Sequence, residues 1–205
     1  MKKYFIVLFL IITSLLFFSC DFIFIVDDII DILQNEETSD NSSENSDNSS
    51  ENSDYKTTVS DKIPTSIKER VVYYATLYRD SDTEYKYGGQ DPLRSIEVDC
   101  SGLIIRCYQY ALEGTEYELL RNDMSSSYIY ESASNYVTEP EPGDLVFMGD
   151  ANSSKINHIG IFTNKIGNTI YFIDSTEYAH GVSERSYDIN NSKIKSFGEM
   201  KLKLK

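Results

Sequence analysis

A run of apolar residues from Tyr4 to Phe18 follows Lys2 and Lys3 and ends at Ser19-Cys20. A second block, residues 21–35, is apolar but carries four aspartates, and from Glu36 to Asp54 no aliphatic or aromatic residue occurs. Periodic patterns begin after that. Behind Pro64, the residues Ile67, Val71, Tyr74, Ala75 and Tyr78 fall on one face of a predicted helix. Leu103, Ile104, Cys107, Tyr108, Ala111 and Leu112 repeat the helical spacing, with Asp99 placed to cap that helix and Gly114 to end it. Gly143 to Met148 reads as a strand after the turn Glu139-Pro140-Glu141-Pro142. His158 to Phe162 alternates as a strand does, Asn164 to Asn168 make a turn, and Thr169 to Asp174 return. Lys193 to Lys205 add a last strand, while residues 113–137 follow no single period. Helices first and antiparallel strands after predict an α+β layer.

Composition divides the chain. A basic start, about 15 apolar residues and a small residue at the break describe an export signal over residues 1–20. That run is shorter than the ~20 residues of a membrane-spanning helix. Residues 21–35 have no assigned role. Residues 36–60 are an acidic Asn/Ser-rich tether, too polar to bury a core and self-repelling through seven acidic groups and no basic one between 36 and 54. Residues 61–205 form the folded domain, long enough for one core. The formal charge of −14 belongs largely to the upstream segments, and residues 55–205 hold 22 acidic against 17 basic groups. No basic stripe points to nucleic acid.

The candidate chemistry starts at Cys100. In the first turn of a buried helix, unpaired N–H groups and the positive dipole end favour thiolate over thiol; the alternative is a small core residue. Cys107 lies two turns further, ~10.5 Å along the axis, so the two cannot bridge, and Cys107 reads as core. A thiolate nucleophile needs a base, and the only histidines are His158 and His180. A hairpin folded about Ile166 pairs residues whose numbers sum to 332, which sets His158 opposite Asp174 with Cβ atoms ~4.5–5.5 Å apart. A carboxylate there would hold the imidazole and leave its other nitrogen for Cys100. A slip of one residue would offer Ser175 instead. His180, in a loop, is the second candidate. The Cys and His spacings fit no usual zinc pattern, and neither metal nor cofactor is expected.

Tyr85-Lys86-Tyr87-Gly88-Gly89, Asp99-Cys100-Ser101-Gly102-Leu103, Pro142-Gly143-Asp144-Leu145-Val146-Phe147 and His158-Ile159-Gly160-Ile161-Phe162 occur in that order. Over residues 64–185 they resemble the NlpC-type cell-wall cysteine peptidases, whose fold is a compact papain fold. The resemblance implies Cys100 as nucleophile, His158 as base, Asp174 as its orienter and Tyr85 close to the thiol. Backbone N–H groups at the start of the cysteine helix, with Tyr85 or a nearby donor, would stabilise an oxyanion, and Asp99 and Ser101, flanking the nucleophile, are candidate contacts for a substrate amine. Two departures stand out: the third position is commonly His, and the spacer Gln90 to Val98 is charged and lacks glycine. The implied substrate is the peptidoglycan stem peptide, cut between γ-D-glutamate and a diamino acid.

Cys20 resembles the acylation site of bacterial lipoproteins, although Phe17 replaces the usual Leu; an uncleaved anchor is the alternative. The expectation is a monomer held to the membrane of the bacterial envelope by an N-terminal lipid. A related thiol amidase or acyltransferase, a silent envelope-binding lipoprotein and a host-directed protease are the other readings.

Overall fold

Pro64 fixes its own φ and accepts the N–H groups of Ile67 and Lys68, so helix α1 (Thr65–Arg79) starts where the chain leaves it. The computed structural model describes residues 62–81, 83–93 and 97–205. The expected signal, the 21–35 segment and the tether lie outside the described residues, as do three residues of the Gln90–Val98 spacer. Helix α1 buries Ile67, Val71, Ala75 and Tyr78, and half-buried Tyr74 stacks on Tyr110 with ring centroids 5.0 Å apart. Helix α2 (Cys100–Ala111) is capped by Asp99, whose carboxylate accepts the Gly102 N–H at 2.7 Å, and Gly114 follows with φ 75°. Both helices lie on one face of a six-stranded antiparallel sheet.

Short strands β1 (Glu84–Tyr85) and β2 (Glu97–Val98) pair in parallel ahead of α2. The stretch 113–137 resolves into β3 (Tyr117–Leu119), helix α3 (Ser126–Ser132) and β4 (Ser134–Val137), each too short to show a period. Next come β5 (Leu145–Met148), β6 (His158–Ile166), β7 (Thr169–Thr176), β8 (Gly181–Asp188), β9 (Ile194–Met200) and β10 (Leu202–Leu204). The sheet order is β4-β9-β5-β6-β7-β8, and β10 pairs separately with β3. Leu103, Ile104, Ile105, Tyr108, Ile159, Ile161 and Ile173 fill the layer between helices and sheet. Val146, Met148, Phe162, Ile170 and Phe172 form a smaller cluster on the opposite face.

One charge sits inside the helix layer. Lys68 is buried, with its Nζ 2.8 Å from Asp144 of the β5 approach, 2.7 Å from Glu199 of β9 and 3.2 Å from Glu141. Burial alone would lower its pKa, but Asp144 and Glu199 outweigh that and hold it above the ordinary lysine value.

The β6–β7 register differs from the sequence expectation. Gly167, at φ 60°, and Asn168 make a two-residue turn, so Ile166 pairs with Thr169 and Lys165 with Ile170. A β-bulge at Thr163 then shifts the pairing by one, and Phe162 faces Phe172 and Ile161 faces Ile173. The turn is therefore not centred on Ile166, and pairs do not sum to 332. Extended to the start of β6, this register sets Gly160 opposite Asp174.

Candidate active site

The start of α2 is clamped to the glycine loop ahead of it. Asp99 Oδ1 accepts the Gly102 N–H and, at 3.0 Å, the Ser101 hydroxyl; its Oδ2 accepts the Gly88 N–H at 2.9 Å. The Asp99 N–H in turn donates to the Gly89 carbonyl at 2.9 Å. Both carboxylate oxygens thus serve the scaffold, as does the Ser101 hydroxyl. Gly102 has no room for a side chain, since a Cβ there would lie 2.0 Å from the Gly89 oxygen. Cys100 is half-buried at the head of this helix, while Cys107 is fully buried and burial pushes its thiol well above the ordinary range. Tyr85, on β1, lies near enough to the thiol to feel its charge. Burial, then the neighbouring Cys100 and Asp99, raise the pKa of its phenol.

His158 and Asp174 meet, by a different route from the one expected. His158 Nε2 donates to Asp174 Oδ2 at 2.6 Å, and Cys100 lies close enough to the imidazole to act on its charge. Burial by itself would lower the imidazole pKa; the Asp174 carboxylate bonded to it, and then the neighbouring Cys100, raise it to about 9. The two residues are diagonal neighbours across the strands, not directly opposed. Gly160 leaves the intervening position empty of side chain, and the Phe172 ring and Asp174 Cβ occupy that space. The bulge decides the face. Without it the register of the hairpin tip would send His158 and Asp174 to opposite sides of the sheet. Ser175 does face the other side, where its buried hydroxyl donates to the Val98 carbonyl at 2.7 Å. His180 is exposed at φ 57° and touches the site through its backbone, accepting the Tyr85 N–H at 3.4 Å.

The structure adds Arg185, on a strand that the sequence pattern left unassigned. Its Nε donates to Asp174 Oδ1 at 2.9 Å, its Nη2 donates to Oδ2, and Nη2 comes within 3.3 Å of His158 Nε2. The guanidinium also lies over the rings of Phe172 and Tyr187, 5.4 and 5.7 Å from their centroids. The signal for β8 is the alternation of Ser183, Arg185 and Tyr187 with exposed Glu184, Ser186 and Asp188. In the β7–β8 register Asp174 faces Ser183 directly and Arg185 faces Phe172. Asp174 therefore has small residues on both flanks, Gly160 and Ser183, and two long ones reach it diagonally from opposite ends.

The model of the NlpC/P60 family matches residues 82–199. The chain belongs to the NlpC/P60 family. No curated protein is similar enough to match it. Among solved structures it is similar to NlpC1 from Trichomonas vaginalis, at 16% identity and TM-score 0.52, over 68% of this chain and 46% of that one. It is also similar to a lipoprotein-like NLP/P60-family protein of Staphylococcus aureus subsp. aureus Mu50, at 21% identity and TM-score 0.48, over 72% and 45%. The chain spans less than half the length of both. The fold is α+β and papain-like, with Cys100 at the N-terminus of α2 and the helices packed on an antiparallel sheet.

This NlpC/P60 domain brings a thiol, an imidazole, a carboxylate and a guanidinium to one site. The first three are the parts that nucleophilic acyl transfer uses. Beside His158 lies a cavity of about 210 Å³, whose lining includes Asp150, Tyr178, Arg185, Tyr187 and Lys193.

Proposed function

We propose that this NlpC/P60 protein is an exported cysteine peptidase that hydrolyses amide bonds in peptidoglycan stem peptides, at the bond between γ-D-glutamate and a diamino acid. The observation that carries the reading is His158, hydrogen-bonded to buried Asp174 at 2.6 Å, beside Cys100 at the positive end of α2. Cys100 gives its proton to His158 and attacks the amide carbonyl. The oxyanion forms beside the N–H groups of the first turn of α2, with Tyr85 at hand. His158 then hands its proton to the leaving amine, the C–N bond breaks, and an acyl-thioester remains. Water, losing a proton to His158, cleaves the thioester and regenerates the thiol. The leaving residue departs on the His158 side, where the cavity can receive it.

Residues 61–205 act as the catalytic domain on the 36–60 tether. Cys20, acylated after removal of residues 1–19, holds the protein to the membrane as a monomeric lipoprotein. The test is mass spectrometry of purified muropeptides incubated with the full-length protein. Expected products carry a new γ-D-glutamyl carboxyl and a free diamino-acid amine, and Cys100→Ala yields neither. Release of intact stem peptide from the sugar would instead make the protein an amidase.

A further inference from the structure

We propose that Arg185 is a positioning residue that sets the basicity of His158 by sharing the Asp174 carboxylate with it. The inference rests on His158 being the base of the proposed reaction. Asp174 is 0% exposed. A carboxylate so placed needs a countercharge, because losing water's solvation is costly unless a partner stands against it. If His158 were its only partner, that countercharge would vanish each time the imidazole gave up its proton. The proton would then be held too tightly for the ring to take another from water. Arg185 is charged at every accessible pH and binds both carboxylate oxygens through its fork, so Asp174 is paired whichever form His158 takes.

Two further features point the same way. The guanidinium lies 3.3 Å from His158 Nε2, where its charge opposes a second positive charge on the ring. Its seat over Phe172 and Tyr187, with Nη1 3.4 Å from the Tyr187 hydroxyl, fixes the fork and so the rotation of the carboxylate that presents Oδ2 to His158. The other groups facing the imidazole are Cys100 from α2 and, around the shared cavity, Asp150, Tyr178, Tyr187 and Lys193. None of these bridges Asp174 and His158 as Arg185 does.

The chain has two histidines, so the full-length protein labelled with ¹³C-histidine gives two titrations by NMR. With Cys100→Ala as background, to remove the thiol, Arg185→Met should raise the His158 midpoint by about one pH unit or more. Arg185→Gln, which keeps one hydrogen bond to the carboxylate, should raise it too and serves if the Met variant does not fold. A midpoint that stays or falls in a folded variant overturns the proposal; a purely structural arginine would lower melting and leave the titration where it was. The measurement needs no substrate. A shifted titration without muropeptide cleavage rejects only the peptidase reading, and cleavage without the shift rejects only this role.

Discussion

Gly102→Ala asks whether the glycine after the nucleophile is there for packing. The added Cβ would sit 2.0 Å from the Gly89 oxygen, 3.1 Å from its carbonyl carbon and 3.2 Å from Gln90 Cα, all backbone atoms. Relief to even a tight contact needs a displacement of roughly 1 Å. Gly89 is not free to give it. Its N–H is bound to the Lys86 carbonyl at 2.8 Å, its own Cβ position is 2.6 Å from the Glu97 oxygen, and its carbonyl holds the Asp99 N–H. The strain therefore passes through Asp99 to Cys100. Overpacking of this kind costs about 1–3 kcal/mol, or a fall in melting temperature of roughly 2–12 °C for a domain of this size. A 1 Å misplacement of a reacting group costs about 10²-fold in rate. Turnover of a muropeptide and alkylation of Cys100 by iodoacetamide should both slow. Gly114→Ala is the control: nothing lies within 4 Å of it, and its φ of 75° makes the cost backbone strain alone, far from the thiol. Turnover, alkylation and melting all within error of wild type in Gly102→Ala would refute the reasoning.

Cys100→Ala should abolish turnover at unchanged melting, whereas Cys107→Ala should keep turnover and lose about 1 kcal/mol; equal loss of turnover in both contradicts the assignment. Asp174→Asn should lower steady-state rates by orders of magnitude, ~10⁴-fold being the reference case in a serine enzyme, while His180→Ala stays within a few-fold; the reverse order would make His180 the orienter. Lys68→Met strips two buried carboxylates of their cation and should cost about 3–5 kcal/mol in urea unfolding, against which a loss below 1 kcal/mol would count. His158 holds its proton more tightly folded than unfolded, with a pKa of about 9 against an ordinary 6.5. That stabilisation is complete below pH 6.5 and lost as pH rises to about 9, so melting should fall across this window, and fall less in Asp174→Asn. Melting that climbs there would reverse the sign.

Local signals made α2 legible: a capping aspartate, a helical period and a terminal glycine all agreed. They placed Cys100 where the structure has it. The hairpin was legible as two strands but not in register. Asn164 to Asn168 looks like a five-residue polar turn, and only the positive φ of Gly167 shortens it to two. Nothing in the sequence marks the bulge at Thr163. The turn and the bulge together moved the pairing by an even step, so His158 still shares a face with Asp174, one pair away from the position expected. Arg185 sits in a stretch as polar as a loop, and its place depends on the room left by Gly160 and Ser183. Lys68 interrupts an otherwise apolar helix face, and its carboxylate partners arrive from the approach to β5 and from β9, a tertiary fact no local pattern carries.

The bulge gives the segment from His158 to Asp174 something like a reading frame. Strand pairing has a period of two, so a single residue gained or lost at the Gly167–Asn168 tip would put base and carboxylate out of phase, while a change of two would leave the phase intact. Loss or gain of the bulge would suppress a single-residue shift, much as a second frameshift restores a gene. Length variants of this hairpin selected for activity should therefore fall into even steps, or into odd steps that also change the bulge.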